Sequence, residues 1–344
     1  MAGKRALEEA RKGRRWLRRL LGAVATGVLL VAVVVTAFTF AAVQWTTRAP
    51  CSDPTRTPAD VGLPYEPLLL RAADGVTLRG WYIPPRHGIV ILHVANLRNP
   101  LDGALDEAAM LARHGYGALL YEAPPCAGVA NSLGGREVLD VKAALDYLAG
   151  RPEVERIGAI GFSAGAVTLL RAAARYPEIE AVVAEGGMAD LAQGLAPVPD
   201  NGLGWWMRVV VLFSYRVATG LDPHTVRPVA EVGRISPRPL LLIYGDQEPN
   251  YTSGAAEALY RAAGEPKFLW VIPGARHGAY RWVAGERYDR CLLAFFNAAL
   301  QSGAPSLPFS SFPDGCTIEL PDLSPRDPPA GPLHDLKRVT GSLR

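Results

Sequence analysis

RIGAIGFSAGAVTLL, residues 156–170, is the stretch on which the fold of this chain turns. Its first part, Arg156–Ile160, is a short apolar run of the length of a buried strand. Its last part, from Ala164 onward, carries the small and apolar residues of a well-packed helix. Between them stands Gly161-Phe162-Ser163-Ala164-Gly165, a G-x-S-x-G pattern. A chain of this composition yields about 0.1 such matches by chance, so the bare pattern is moderate evidence. Its place between strand and helix gives it a mechanical sense. A sharp strand-to-helix turn leaves little room for side chains, hence the small neighbours, and it lifts the Ser163 hydroxyl to where a base can reach it. The Ala164 backbone N–H, at the helix start, can face a developing oxyanion. The plainer reading is a tight structural turn without chemistry.

Working outward, apolar runs of four to six residues alternate with amphipathic segments. The runs are Ile89–Val94, Ala118–Tyr121, Arg156–Ile160, Ala181–Ala184, Leu240–Tyr244 and Phe268–Ile272. Helices are expected near residues 103–114, 136–149, 164–176, 254–263 and 286–301. This alternation predicts an α/β fold, a mostly parallel sheet covered on both faces. Upstream, PLLLRAADGVTLRGWYIP reads as two strands around an Asp74-Gly75 turn. Residues 188–238 interrupt the rhythm and hold Trp205, Trp206, Met207 and the apolar run Val209–Phe213. A connection of that length is expected to be a small cap over a pocket, with one extra packed helix as the plainer reading.

An activated serine needs a base, and the chain has six histidines. His277 follows the last expected strand, at the carboxyl edge of the sheet that also carries Ser163. Two carboxylates, Asp246 and Glu248, follow the strand Leu240–Tyr244, and either could orient the imidazole. The order serine, acid, histidine is one of three known orders of a Ser–His–acid triad. No metal or organic cofactor is called for by this chemistry, and the scattered Cys51, Cys126, Cys291 and Cys316 lack metal-ligand spacing. Outside the cytoplasm they could form disulfides, in any of three pairings.

From about residue 65 to 302 the chain resembles the α/β-hydrolase superfamily, and within it the bacterial branch related to prolyl-oligopeptidase-like and serine-aminopeptidase-like hydrolases. The resemblance rests on Gly135-x-Glu137-x-x-Asp140-Val141, on GFSAGAVTLL at 161–170, on Ile235-x-Pro237-x-Pro239-Leu240 through Gly245, and on His277. It implies a triad acid three residues after the glycine that ends the strand, which is Glu248, with Asp246 as the alternative. The catalytic set so implied is Ser163, Glu248 and His277. The family's His-Gly after its third strand reads His93-Val94 here, followed by Ala95-Asn96, so the second oxyanion donor is expected at Ala95, with Asn96 next. The stretch after Tyr121 also departs from the family's D-x-R-x-x-G. The expected activity is that of a carboxylesterase-like serine hydrolase, with a small serine peptidase or a non-catalytic binding module on the same fold as alternatives.

The ends carry the remaining information. Residues 1–19 hold eight Lys and Arg against two Glu, a net +6, which leaves −3 for the rest of a chain whose total is +3. The basic excess is thus a tail and not a nucleic-acid surface. Residues 20–43 run 24 positions without a charge, about 36 Å as a helix against about 30 Å of hydrocarbon. This predicts a single-pass transmembrane helix, longer than the apolar stretch of a cleaved signal peptide. The positive-inside rule puts residues 1–19 in the cytoplasm and the hydrolase domain outside it. Residues 44–64 are expected to be a linker and 303–344, rich in Pro and Ser, a tail without a core. A tethered enzyme with an aromatic cap is expected to take a small-molecule or lipid-like acyl substrate, with the membrane itself as partner through residues 20–43.

Overall fold

Ile89–Val94 is buried at all six positions, the signature of a strand covered on both faces. Seven further strands join it in the computed structural model, which describes residues 2–48, 51–97, 100–196, 198 and 202–301. They are β1 (Glu66–Arg71), β2 (Thr77–Ile83), β3 (Ile89–Val94), β4 (Gly117–Tyr121), β5 (Arg156–Phe162), β6 (Ile179–Glu185), β7 (Leu240–Gly245) and β8 (Lys267–Ile272). The spatial order is β1-β2-β4-β3-β5-β6-β7-β8, antiparallel over β1-β2-β4 and parallel from β4 to β8. The sheet is therefore the mostly parallel one expected, with an antiparallel edge built from the hairpin at Asp74-Gly75.

The helices, in chain order, are α1 (Ala2–Arg48), α2 (Leu105–Arg113), α3 (Val138–Ala149), α4 (Ala164–Ala173), α5 (Leu191–Leu195), α6 (Gly202–Thr219), α7 (Pro228–Glu231), α8 (Pro249–Thr252), α9 (Ala255–Ala262), α10 (Tyr280–Ala284) and α11 (Glu286–Phe296). Helix α4 buries every residue from Ala164 to Ala173, because it packs on β5, β6 and α3 together. It ends sooner than the 164–176 expected. The Arg238 guanidinium there takes the carbonyls of Ala173, Tyr176 and Ile179 and supplies the partners that a further turn would have given. The last helix gives way after Phe296 to a π turn over Asn297–Gln301.

Helix α1 is one continuous rod through both the basic tail and the uncharged span, and its stretch Gly13–Arg48 is long and apolar enough to cross a membrane. The linker expected from residue 44 begins instead beyond Arg48. Thr47 Oγ1 donates to the Val43 carbonyl, the Thr47 carbonyl accepts from Asn131 N–H, and Arg48 reaches the Ala218 carbonyl. These bonds hold the last helical turn against the folded body. Three residues further on, Cys51 is joined to Cys126, with Cα atoms 4.9 Å apart. No cysteine among the described residues is free. Cys316 and the expected tail from 303 lie outside the described residues.

Candidate active site

Ser163 stands on the turn from β5 into α4 with φ 53° and ψ −116°, a left-handed backbone that costs a residue with a Cβ about 1–3 kcal/mol. The surroundings over-determine it. Ser163 N–H donates to the Glu185 carbonyl at 2.8 Å and its own carbonyl accepts from Val167 at 3.1 Å. The flanking glycines are there for space. A Cβ on Gly161 would stand 2.6 Å from the Gly165 carbonyl oxygen, and one on Gly165 2.6 Å from that of Val94. Ala164, as first residue of α4, has an N–H without an intrahelical partner.

His277 follows β8 and meets the serine from the next loop. Its Nε2 lies 3.0 Å from Ser163 Oγ, and its Nδ1 lies 2.6 Å from Glu248 Oε2. Glu248 is wholly buried. Its Oε1 accepts from Gly245 N–H at 2.7 Å, and both oxygens lie within 2.9 Å of the Tyr280 hydroxyl. A buried carboxylate with this many donors is fixed in direction. Asp246, the other candidate, is exposed and accepts from Gly274 N–H at 2.7 Å, bracing the turn after β8 and not the imidazole. The two carboxylates therefore divide: one reaches the histidine, the other shapes the loop that carries it.

Ala95 directly follows β3. Its amide faces the buried Tyr121 hydroxyl without reaching hydrogen-bond geometry. Asn96, next along, lines a recess. Three residues around the serine escaped the sequence reading. Tyr280 is tied to Glu248, Asn250 donates to the Gly186 carbonyl at 2.7 Å, and Phe162 places its ring 4.8 Å from that of His277. Only Tyr280 left a trace, three positions after His277 at the start of a short helix.

The recess beside this constellation has a volume of about 390 Å³ and is lined by His93, Asn96, Glu107, Glu185, Tyr288 and Arg281 among others. Its charges are linked. The Tyr288 hydroxyl lies 2.7 Å from Glu107 Oε2 and 2.7 Å from Glu185 Oε1, yet has one hydrogen to give. One carboxyl must carry a proton. Burial and the nearby charge of Glu107 push Glu185 well above the usual carboxylate range. Burial, the largest single effect on Glu107, works in the same sense, but His93, Tyr288 and Arg281 together outweigh it and the group is held low. Glu185 is thus the protonated member and Glu107 the ionised one. His93 Nδ1 lies 3.2 Å from Glu107 Oε1, an ion-pair distance without hydrogen-bond alignment, and Nε2 has no partner among the described residues.

Comparison with known proteins places the chain. Residues 64–212 match the model of the X-Pro dipeptidyl-peptidase (S15) family. A stretch of 64 residues is 36% identical to the uncharacterised protein PA2218 of Pseudomonas aeruginosa, covering 19% of this chain and 17% of that protein. The chain therefore matches under a fifth of that relative's length by sequence. In structure it is similar to the esterase Pf2001 of Pyrococcus furiosus, with TM-score 0.58 and 22% identity over 72% of this chain and 97% of that one. It is also similar to the acylaminoacyl peptidase of Pyrococcus horikoshii, with TM-score 0.55 and 17% identity over 72% of this chain and 43% of that one. With the sheet order, the serine turn between β5 and α4 and these likenesses in view, the chain has the α/β-hydrolase fold.

Proposed function

We propose that the chain is a membrane-anchored serine hydrolase that cleaves a carboxylic ester, or a thioester or amide, through an acyl-enzyme. The observation that carries this reading is His277, with one ring nitrogen at Ser163 and the other at Glu248. Ser163 Oγ attacks the acyl carbon while His277 Nε2 takes its proton. Glu248 orients the ring and stabilises its positive charge. The tetrahedral oxyanion is met by the Ala164 N–H, with Asn96 as second donor, since the Ala95 amide expected there is turned toward the Tyr121 hydroxyl. The imidazolium returns the proton to the leaving group, water enters on the same base, and the second collapse frees the acid and restores Ser163. No metal or organic cofactor takes part. The likeness to the esterase Pf2001 supports an ester as substrate. The S15 family match and the likeness to the acylaminoacyl peptidase favour a small serine peptidase as the second reading. The polar recess on one side of the serine and the apolar α6 on the other fit an amphiphilic, lipid-like acyl ester. Helix α1, with its charged tail, fits a single-pass anchor with the tail in the cytoplasm and the enzyme outside.

The full chain in membranes, treated with a fluorophosphonate probe, should label at one serine and lose all labelling as Ser163→Ala. Glu248→Gln should lower kcat by about 10²–10⁴, as expected when a triad acid no longer holds its histidine in the right tautomer. Asp246→Asn should cost less than about tenfold. A folded chain that takes no probe would turn the reading toward a binding module. Comparable losses in both carboxylate variants would leave Glu248 without its assigned role. Hydrolysis of p-nitrophenyl esters set against aminoacyl-p-nitroanilides separates esterase from peptidase.

A further inference from the structure

Helix α6 does not stand alone. Among the described residues it packs lengthwise on α1, the helix read as the anchor. On α1 the positions withdrawn from solvent include Ala32, Val35, Thr36, Thr39, Val43 and Thr47, spaced by three and four, one stripe of a helix. The level of the two helices is fixed where Arg48 Nη2 donates to the Ala218 carbonyl at 2.7 Å. Both chains run toward that point, so the helices are parallel. Trp205 lies 13 residues before Ala218, about 20 Å along the axis. The same descent on α1 from Arg48 reaches Val35, well inside the uncharged span.

The other side of α6 is uncovered and apolar. Trp205 is 57% exposed, Val209 45%, Phe213 63% and Val217 49%, at successive four-residue steps. Along α6, exposed Trp205, Val209 and Phe213 flank the half-buried Arg208 and are followed by exposed Arg216; on α1, exposed Phe38 and Phe40 are followed by Trp45 and then Arg48. The exposed cations Arg216 and Arg48, near the ends of two parallel helices, thus stand at about the same height, as cations at one membrane–water boundary do.

We infer that α6 is a second membrane-seated element, its exposed stripe lying against the lipid of the outer leaflet beside the anchor, with Arg216 and Arg48 at the headgroups. The inference rests on reading α1 as an anchor. It gives the substrate a route as well. Tyr215 of α6 and Ala164 beside the catalytic serine belong to one buried cluster, onto which Val43 of α1 also packs. That cluster joins the membrane-seated helices to the start of α4, which puts the serine turn beside the path of an acyl chain leaving the leaflet along α6.

The test uses the full chain reconstituted into phosphatidylcholine vesicles, with single cysteines introduced as Phe213→Cys, Leu30→Cys and Asp74→Cys. Each is labelled with an environment-sensitive fluorophore, and the unlabelled parent background is subtracted. Lipid carrying a nitroxide on its acyl chain should quench positions 30 and 213 several-fold and leave 74, at the β1–β2 turn, bright. Quenching at 30 with 213 as bright as 74 would overturn the inference and leave the anchor standing. No quenching at 30 would remove the anchor and the inference with it. As a functional arm, Phe213→Asp should cut turnover of a long-chain ester embedded in the vesicles at least tenfold while sparing p-nitrophenyl acetate. Equal loss on both esters would count against the lipid route.

Discussion

Tyr280 gives its hydroxyl to Glu248 at 2.8 Å and sits 3.4 Å from His277 Nδ1, so it helps to fix where the carboxylate points. Burial, then the charge of Glu248, raises its pKa far above that of an ordinary tyrosine, and it remains a donor at any working pH. Tyr280→Phe keeps the ring and removes the bond. We expect kcat to fall about tenfold with KM unchanged, since one hydrogen bond to a charged group is worth about 1.5–3 kcal/mol; a changed KM with kcat intact would contradict a positioning role. Ser163 and His277 could be read from sequence as candidates because each follows a strand that ends at the same edge, whereas that position left Asp246 and Glu248 open and only the family resemblance picked Glu248. Tyr280, Asn250 and Phe162 were not, because their roles come from which buried atoms the fold brings to them, and a tyrosine after a histidine has many reasons to be there.

Helix α3 carries a strained element of another kind. Burial, then the charges of Glu137 and Asp74, pushes the Asp140 carboxyl up to about 8. In the folded chain it keeps its proton where the unfolded chain has released it. Between about pH 4 and pH 8, each unit of rising pH therefore removes up to about 1.4 kcal/mol of stability, and the loss levels off above the folded pKa. Asp140→Asn should leave Tm little changed at pH 5 and raise it increasingly toward pH 8. Melts across that range decide it, and a constant or negative shift would show that the carboxyl is not held protonated. At this scale the strands were readable to within two residues at either end, since a run buried on both faces leaves little choice of residue type. Two features were not: the unbroken length of α1 and its packing on α6. Hydropathy marks where a helix can enter lipid, but the last turn of α1 is held by the Asn131 and Ala218 contacts, which no local pattern encodes.

For the whole molecule the same contrast holds. The α/β layering follows from alternation of apolar runs, whereas the pairing of Cys51 with Cys126 depends on the path of the chain past the β2–β4 edge and could not be chosen among three options. That bond closes a separation of 75 residues, for which loop entropy allows at most about 4.5 kcal/mol. The paired variant Cys51→Ser with Cys126→Ser should melt several degrees lower than the parent, measured by circular dichroism. An unchanged Tm would mean that the Thr47–Asn131 and Arg48–Ala218 contacts hold the junction unaided.

The closeness of that junction has a kinetic meaning. From Arg48 to Cys51 is three residues, and both ends are fastened to the folded body. An enzyme on a long stalk samples the bulk around it, and its rate follows the dissolved concentration of substrate. An enzyme clamped to its anchor on both sides of so short a segment has no such freedom. Read as anchored, its serine patrols a plane at constant height, and what sets its turnover is how many ester molecules share each patch of leaflet, a surface density that dilution of the surrounding water leaves untouched.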